Sequence, residues 1–215
     1  MGIPREAGRT TYSTEIRNLK KRLSLNDYQR SVVIGSLLGD GSLTANWSKT
    51  NFSFQVAHSK KQEAYILWKY GVLKDWILSK PRYYPRNNSI TIKTISHPEI
   101  TDLAKLFYPN GKKVLPRNLK QLVQDPIILA VWYMDDGNII RRNGKVYGYH
   151  FNTQSFSKHE NLMISQALYD VCGLENMPEL NHGRYRLRIM KKESRNKFQK
   201  LIGKYILPEM KYKLS

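Results

Sequence analysis

The stretch LAVWYMDDGN, residues 129–138, decides the fold: an apolar run that reads as a buried helix ends in Asp135, Asp136 and Gly137. The last carbonyls of a helix carry partial negative charge, so two carboxylates at that end are poorly placed unless something positive meets them. The pattern has an echo. VVIGSLLGDGSL, residues 32–43, again runs apolar into Asp-Gly and sets Asp40 against Asp136 and Gly41 against Gly137, 96 residues apart.

Both copies continue in the same order. NFSFQVAHS (51–59) and YGYHFNTQS (147–155) alternate as strands, the first with Phe52, Phe54 and Val56 opposite Ser53 and Gln55, the second with Phe151 and Thr153 opposite Asn152 and Gln154. A helix follows each, and Ser59 with Gln62 and Ser157 with Glu160 predict capping boxes at their starts. Hairpins come next, turning at Asn87 and Asn88 in the first copy and near His182 and Gly183 in the second. A closing helix is predicted over 98–107 behind Ser96 and Glu99, and over about 194–206. A constant offset across this order predicts tandem, pseudo-symmetric halves. The expected division is a basic N-terminal arm at 1–24, a first half at 25–108, a Pro/Gly-punctuated linker at 109–124 and a second half at 125–215.

Composition narrows the function. Thirty-six Lys and Arg against seventeen Asp and Glu give a formal net charge of +19, which in a folded chain points to a polyanionic partner, nucleic acid first. Cys172 is the lone cysteine, excluding an intramolecular disulfide framework or a Cys-rich zinc site, and the five histidines show no metal-ligand spacing. No apolar stretch reaches the roughly 18 residues of a membrane span, and no signal-peptide core stands near the start, so a soluble, intracellular protein is expected.

Gly35, Ser36 and Gly39 form a small-residue seam, whereas the matching positions of the second helix carry Val131 and Trp132. If the two helices pack side by side, small residues face bulky ones and the two aspartate-bearing ends converge. Converging carboxylates repel one another unless a hard divalent cation neutralises them. Mg²⁺ is the expected ion, held by Asp40 and Asp136 with backbone carbonyls such as that of Gly39, and it suits phosphodiester hydrolysis. In GRYRLRIMKK (183–192), Arg184, Arg186 and Arg188 share one face of a strand and Tyr185, Leu187 and Ile189 the other. That basic face, with His150, Asn152 and Gln154 nearby and Lys93, Arg82 and Arg86 in the first copy, is expected to meet phosphates and base edges.

At these residues the chain resembles the LAGLIDADG homing endonucleases, in their monomeric, intron-encoded, two-motif branch. IGSLLGDG and LAVWYMDDG are similar to the two family motifs, and LFYPNGKKVLPRNL, FNTQSF and ILPEMKYKL extend the likeness from about Leu25 to Leu214. The resemblance implies an α+β fold of tandem αββαββα units, with two antiparallel saddle-shaped sheets on the DNA major groove. It also implies site-specific cleavage of double-stranded DNA. It assigns metal binding to Asp40 and Asp136, catalytic lysines to Lys113 and Lys213, and polar positions close to the metals to Gln55 and Gln154. Asp135 stands where many members have Gly or Ala, and is expected to contribute chiefly its backbone carbonyl. An intron maturase that binds intron RNA on the same fold is the alternative. A purely DNA-binding regulator lacks a helix-turn-helix and leaves the aspartates unexplained.

Overall fold

The computed structural model describes residues 14–215. In chain order the elements are α1 (Thr14–Arg22), α2 (Asp27–Leu38), β1 (Ser42–Ala45), β2 (Phe52–Ser59), α3 (Glu63–Val72), β3 (Arg82–Tyr84), β4 (Ser89–Lys93) and α4 (Pro98–Phe107), then a short α5 (Leu119–Leu122). The pattern then repeats as α6 (Pro126–Asp136), β5 (Gly137–Arg142), β6 (Lys145–Phe151), α7 (Lys158–Cys172), β7 (Met177–Asn181), β8 (Arg184–Ile189) and α8 (Lys192–Ile202). Each copy from its motif helix onward is αββαββα. Each builds a four-stranded antiparallel sheet of the same connectivity, ordered β1-β2-β4-β3 and β5-β6-β8-β7.

The chain forms two compact units, one comprising the described residues up to Arg30 with Gly41–Lys105, the other Ser31–Asp40 with Leu106–Ser215. In the first unit the alternation of β2 and β4 buries Phe54, Val56, Ile90 and Ile92, and α3 packs on both strands with Tyr65 and Ile66 buried. The basic arm expected over 1–24 lies outside the described residues as far as residue 13. From Thr14 the chain is helical, with Ile16 buried, and is tied down where Lys20 donates to Ser96 Oγ (3.2 Å) and its carbonyl meets His97 Nε2 (2.9 Å).

The second unit is organised by aromatic rings. Tyr133 lies edge-on to Phe198 (5.0 Å between centroids) and to Tyr149 (5.9 Å), and Trp132 leans on Phe151 (5.0 Å). The two tyrosine hydroxyls of this cluster donate to main-chain carbonyls of the C-terminal tail, Tyr133 to Lys213 (2.7 Å) and Tyr149 to Leu214 (3.0 Å). Buried hydroxyls need partners, and here the partner is a segment that must be held in place.

Several expected ends are moved. Ser157 and Glu160 form the predicted capping box of α7. Ser59 instead caps a short 3-10 turn by accepting from Lys61 N, and Gln62 stands before α3 with no side-chain capping bond. At α4 the His97 ring accepts the Glu99 N–H (3.2 Å), while the Glu99 carboxylate is taken by Leu25 N (2.9 Å), so Ser96 and Glu99 make no box. Strand β6 stops at Phe151, because Asn152 N turns to the Asp136 carbonyl (2.9 Å); Asn152 and Gln154 are therefore past its end. The last helix ends at Ile202, and a 3-10 turn at Gly203–Tyr205 follows.

Within the second unit α2 and α6 touch at backbone distance. A Cβ at Gly35 would sit 2.7 Å from both Ile128 O and Val131 Cβ, whereas one at Gly71, in α3, would meet nothing within 4 Å. Gly35→Val should therefore cost about 1–3 kcal/mol or more through overpacking. Gly71→Ala should stabilise by about 0.5–1 kcal/mol by restricting the unfolded chain. Urea unfolding of both variants, compared by midpoint at constant slope, checks the pair.

Candidate active site

The seam continues to the helix ends. A Cβ at Gly39 would lie 2.6 Å from Asp135 Cβ, so only glycine admits Asp135 there, and the Asp40 N–H donates to Asp135 Oδ2 (3.3 Å). Carboxylate oxygens of Asp40 and Asp135 lie within 4.8 Å of one another. Asp40 is exposed, Asp136 half-buried and Asp135 buried. The expected convergence of the two motif ends is thus present, with Asp135 between them rather than aside.

The positive charge that these ends demand is supplied from two distant segments. Lys113 Nζ donates to Gly39 O (2.7 Å), and Lys213 Nζ donates to Met134 O (2.5 Å) and Asp135 O (3.0 Å). Each lysine therefore caps the C-terminus of one motif helix, where a cation complements the dipole and satisfies carbonyls left open by the helix. Lys113 is carried by a turn in which Gly111 N returns to Tyr108 O (3.1 Å), and the segment beyond is fixed by Leu115 N donating to Glu160 (2.9 Å). Lys213, itself buried, is placed by the tail that Tyr133 and Tyr149 hold.

The electrostatics of this cluster are strained. Burial first, then the charges of Asp40 and Asp135, push the Asp136 carboxyl up to about 8, although Lys113 and Lys213 pull it down. Burial holds the Lys113 ammonium below its ordinary range, against the pull of Asp136, Asp135 and Asp40. Hard oxygen donors packed this closely form an arrangement whose charge a divalent cation would relieve.

The remaining predicted residues lie on the sheets. Gln55 sits half-buried on β2, paired with Ser42 and Lys93. Gln154 lies in the turn after β6. In the first unit Lys93, Arg82 and Arg86 are exposed, with the Arg82 guanidinium over the Tyr84 ring (4.8 Å). On β8, Arg184 is exposed, but Arg186 and Arg188 are not simply solvated: Glu179 on β7 accepts from Arg186 Nε (3.0 Å), Arg188 NH1 (3.4 Å) and His150 Nε2 (2.9 Å). Sequence reasoning missed Glu179 and Asn138. The signal for Glu179 was available, because a hairpin turning at His182 and Gly183 sets Glu179 opposite Arg186.

Asp136 makes a pH prediction. Its folded pKa, about 8, lies above the unfolded carboxylate value, so its favourable contribution is present at low pH and is lost as pH rises between about 4 and 8. In metal-free buffer, Asp136→Asn should stabilise the protein by an amount that grows through that window and levels off above it. Thermal melts of both proteins from pH 4.5 to 9 give the difference, and a difference independent of pH contradicts the assignment.

Residues 30–198 match the LAGLIDADG DNA endonuclease family. The chain is 32% identical over 202 residues to the protein RecA of Mycolicibacterium flavescens, a match covering 88% of this chain and 47% of that one. It is 30% identical over 209 residues to the probable intron-encoded endonuclease 1 of Wickerhamomyces canadensis, covering 93% and 89%. Among solved structures it is similar to the homing endonuclease I-WcaI bound to its DNA recognition sequence, with a TM-score of 0.86, 28% identity and coverage of 97% and 95%. It spans less than half the length of the RecA relatives it matches. A family match over most of the chain, on two motif helices that meet as described, leads to one conclusion: the chain belongs to the LAGLIDADG DNA endonuclease family.

Proposed function

We propose that the protein is a site-specific double-stranded DNA endonuclease that hydrolyses phosphodiester bonds with divalent metal, Mg²⁺ in the cell. The observation that carries this reading is the meeting of Asp40, Asp135 and Asp136 with Lys113 and Lys213 at the ends of α2 and α6. Helix capping alone accounts for the lysines. It does not account for three acids, one of them driven to hold a proton near neutral pH. The similarity to an endonuclease seen on its DNA recognition sequence supports the same reading.

Asp40 and Asp136 would hold the metal through their carboxylates, with the Gly39 and Asp135 carbonyls on the same ends as further oxygen donors. A bound cation supplies charge neutralisation at the phosphate and a more acidic water. Asp136 would have to give up its proton before its carboxylate could hold such a cation, so affinity for metal would rise with pH. Lys113 and Lys213, one at each motif helix, place ammonium groups where negative charge gathers on the phosphoryl oxygens. Gln154, in the turn after β6, would orient water around the cleaved bond. Both motif helices come from one chain, so the enzyme acts as a monomer.

Arg82, Arg86 and Lys93 on one sheet and Arg184, Arg186, Arg188, His150 and Asn152 on or beside the other contact the duplex. Phosphate contacts set register, and base edges set the site. The target is found by selection from a randomised duplex library. On a plasmid carrying it, Asp40→Asn and Asp136→Asn should each lower double-strand cleavage about 10²-fold or more, with DNA affinity within about tenfold of wild type. Lys113→Met and Lys213→Met should slow the two strands unequally and in different proportions. Undiminished cleavage in both aspartate variants contradicts the assignment.

A further inference from the structure

Glu179 is out of character on a surface meant for a polyanion. It lies on β7 opposite Arg186, with β8 between it and His150, which pairs with Arg188 across β6 and β8. Its side chain is 27% exposed, those of His150 and Arg186 only 10% and 19%, so the cluster is largely withdrawn from water. An acid here costs affinity for DNA at any sequence, because it cancels one of the two arginine charges and repels phosphate.

The hydrogen-bond directions say what is gained. Asn152 Nδ2 donates to Asn138 Oδ1 (3.0 Å), Asn138 Nδ2 to His150 Nδ1 (3.3 Å), and His150 Nε2–H to Glu179 Oε2 (2.9 Å). This chain is consistent only with a neutral imidazole, and burial together with the Arg186 charge indeed holds the His150 pKa below its ordinary value. The titratable and charged groups meeting the ring are Glu179, Arg186 and Arg188. Glu179 then accepts from Arg186 through Nε alone (3.0 Å), and among the described residues the two terminal nitrogens of that guanidinium have no partner. Arg188, by contrast, is engaged at both ends, NH1 on Glu179 (3.4 Å) and NH2 on Met177 Sδ (3.2 Å).

We propose that Glu179 is a positioning residue for sequence recognition: it fixes Arg186 by Nε so that its two terminal N–H groups read one guanine through O6 and N7. This rests on the endonuclease reading above. A guanidinium locked in its fork reads guanine at lower entropic cost than a mobile one, and the carboxylate beside it penalises any pose that brings a phosphate or another acceptor to the same place. Glu179 trades general affinity for discrimination.

The test is selection from a randomised duplex library with wild type, Glu179→Gln and Arg186→Gln, together with affinity for a random-sequence duplex across a salt series. Glu179→Gln should lose about 5- to 100-fold of the preference for guanine at a single base pair, while affinity for random duplex stays equal or rises. Arg186→Gln should lose preference at that same base pair, which keeps the test open if the Glu179 variant folds poorly. Glu179→Asp should not restore the preference, since the shorter acid cannot reach Nε. If both variants keep the wild-type profile, if they lose preference at different positions, or if Glu179→Gln weakens specific and random binding alike, the inference is overturned. If wild type selects no sequence at all, the endonuclease reading falls and takes the inference with it.

Discussion

The close approach of α2 to α6 is the constraint on which the second unit depends. Two helices whose backbones come this near must have glycine at the crossing, and both contacts, Gly35 with Val131 and Gly39 with Asp135, join residues 96 positions apart. That is also the spacing of the repeat. Each motif helix therefore meets the other at its own counterpart position, and the helix ends are brought together by symmetry rather than by any pairing of opposite charge. Proximity of like charge follows from packing, and the packing is dominated by apolar burial: Val32, Val33, Leu37, Leu129, Val131 and Trp132 are all buried. The acids are held together by a core that gains nothing from their charge.

Lysines from remote parts of the chain then answer the strain, and the symmetry extends to them. Lys113 meets the Gly39 carbonyl and Lys213 the carbonyl of Asp135, its counterpart in the second motif. Their routes are nevertheless different. Lys113 sits on a linker fastened by Glu160, the acid that also closes the capping box of α7, so one carboxylate serves both the helix start and the lysine-bearing segment. Lys213 depends on Tyr133 and Tyr149, whose rings are core and whose hydroxyls grip the tail. A site of this kind is held from behind by groups that never touch a substrate.

Much of this is legible in the sequence. The repeat, its order of helix, strands, helix, strands and helix, the small-residue seam and the turn at His182 and Gly183 follow from periodicity and spacing, whereas the full αββαββα unit came from the family resemblance; the positive φ angles at those two residues are the left-handed pair that such a hairpin requires. Capping was legible where the acid kept one oxygen for the helix start, as Glu160 does with Oε2 on Ser157 N while Oε1 takes Leu115 N. Ser157 and Glu160 close their box, whereas Glu99 is drawn to Leu25 N and leaves Ser96 to Lys20. Gly137 has an ordinary φ of −82°; it is glycine because the Tyr133 ring would lie 2.2 Å from a Cβ. Local pattern names the residue type and tertiary contact supplies the reason.

Glu179 shows how far register reasoning can be taken. A strand of alternating arginines suggests a basic face by its own parity, yet a strand is never alone, and the hairpin turn that fixes its start also fixes which residue stands opposite each arginine. Counting back from His182 and Gly183 pairs Asn181 with Arg184, Leu180 with Tyr185 and Glu179 with Arg186. The acid is then inside the basic face, not beyond it, and the face changes character from a smooth attractor of phosphate to one with a single directed guanidinium at Arg186 and an open one at Arg184. Charge totals could not distinguish those two surfaces, because both are strongly positive. Cross-strand pairing does, and it separates Arg184, which is exposed, from Arg186, which Glu179 holds by Nε.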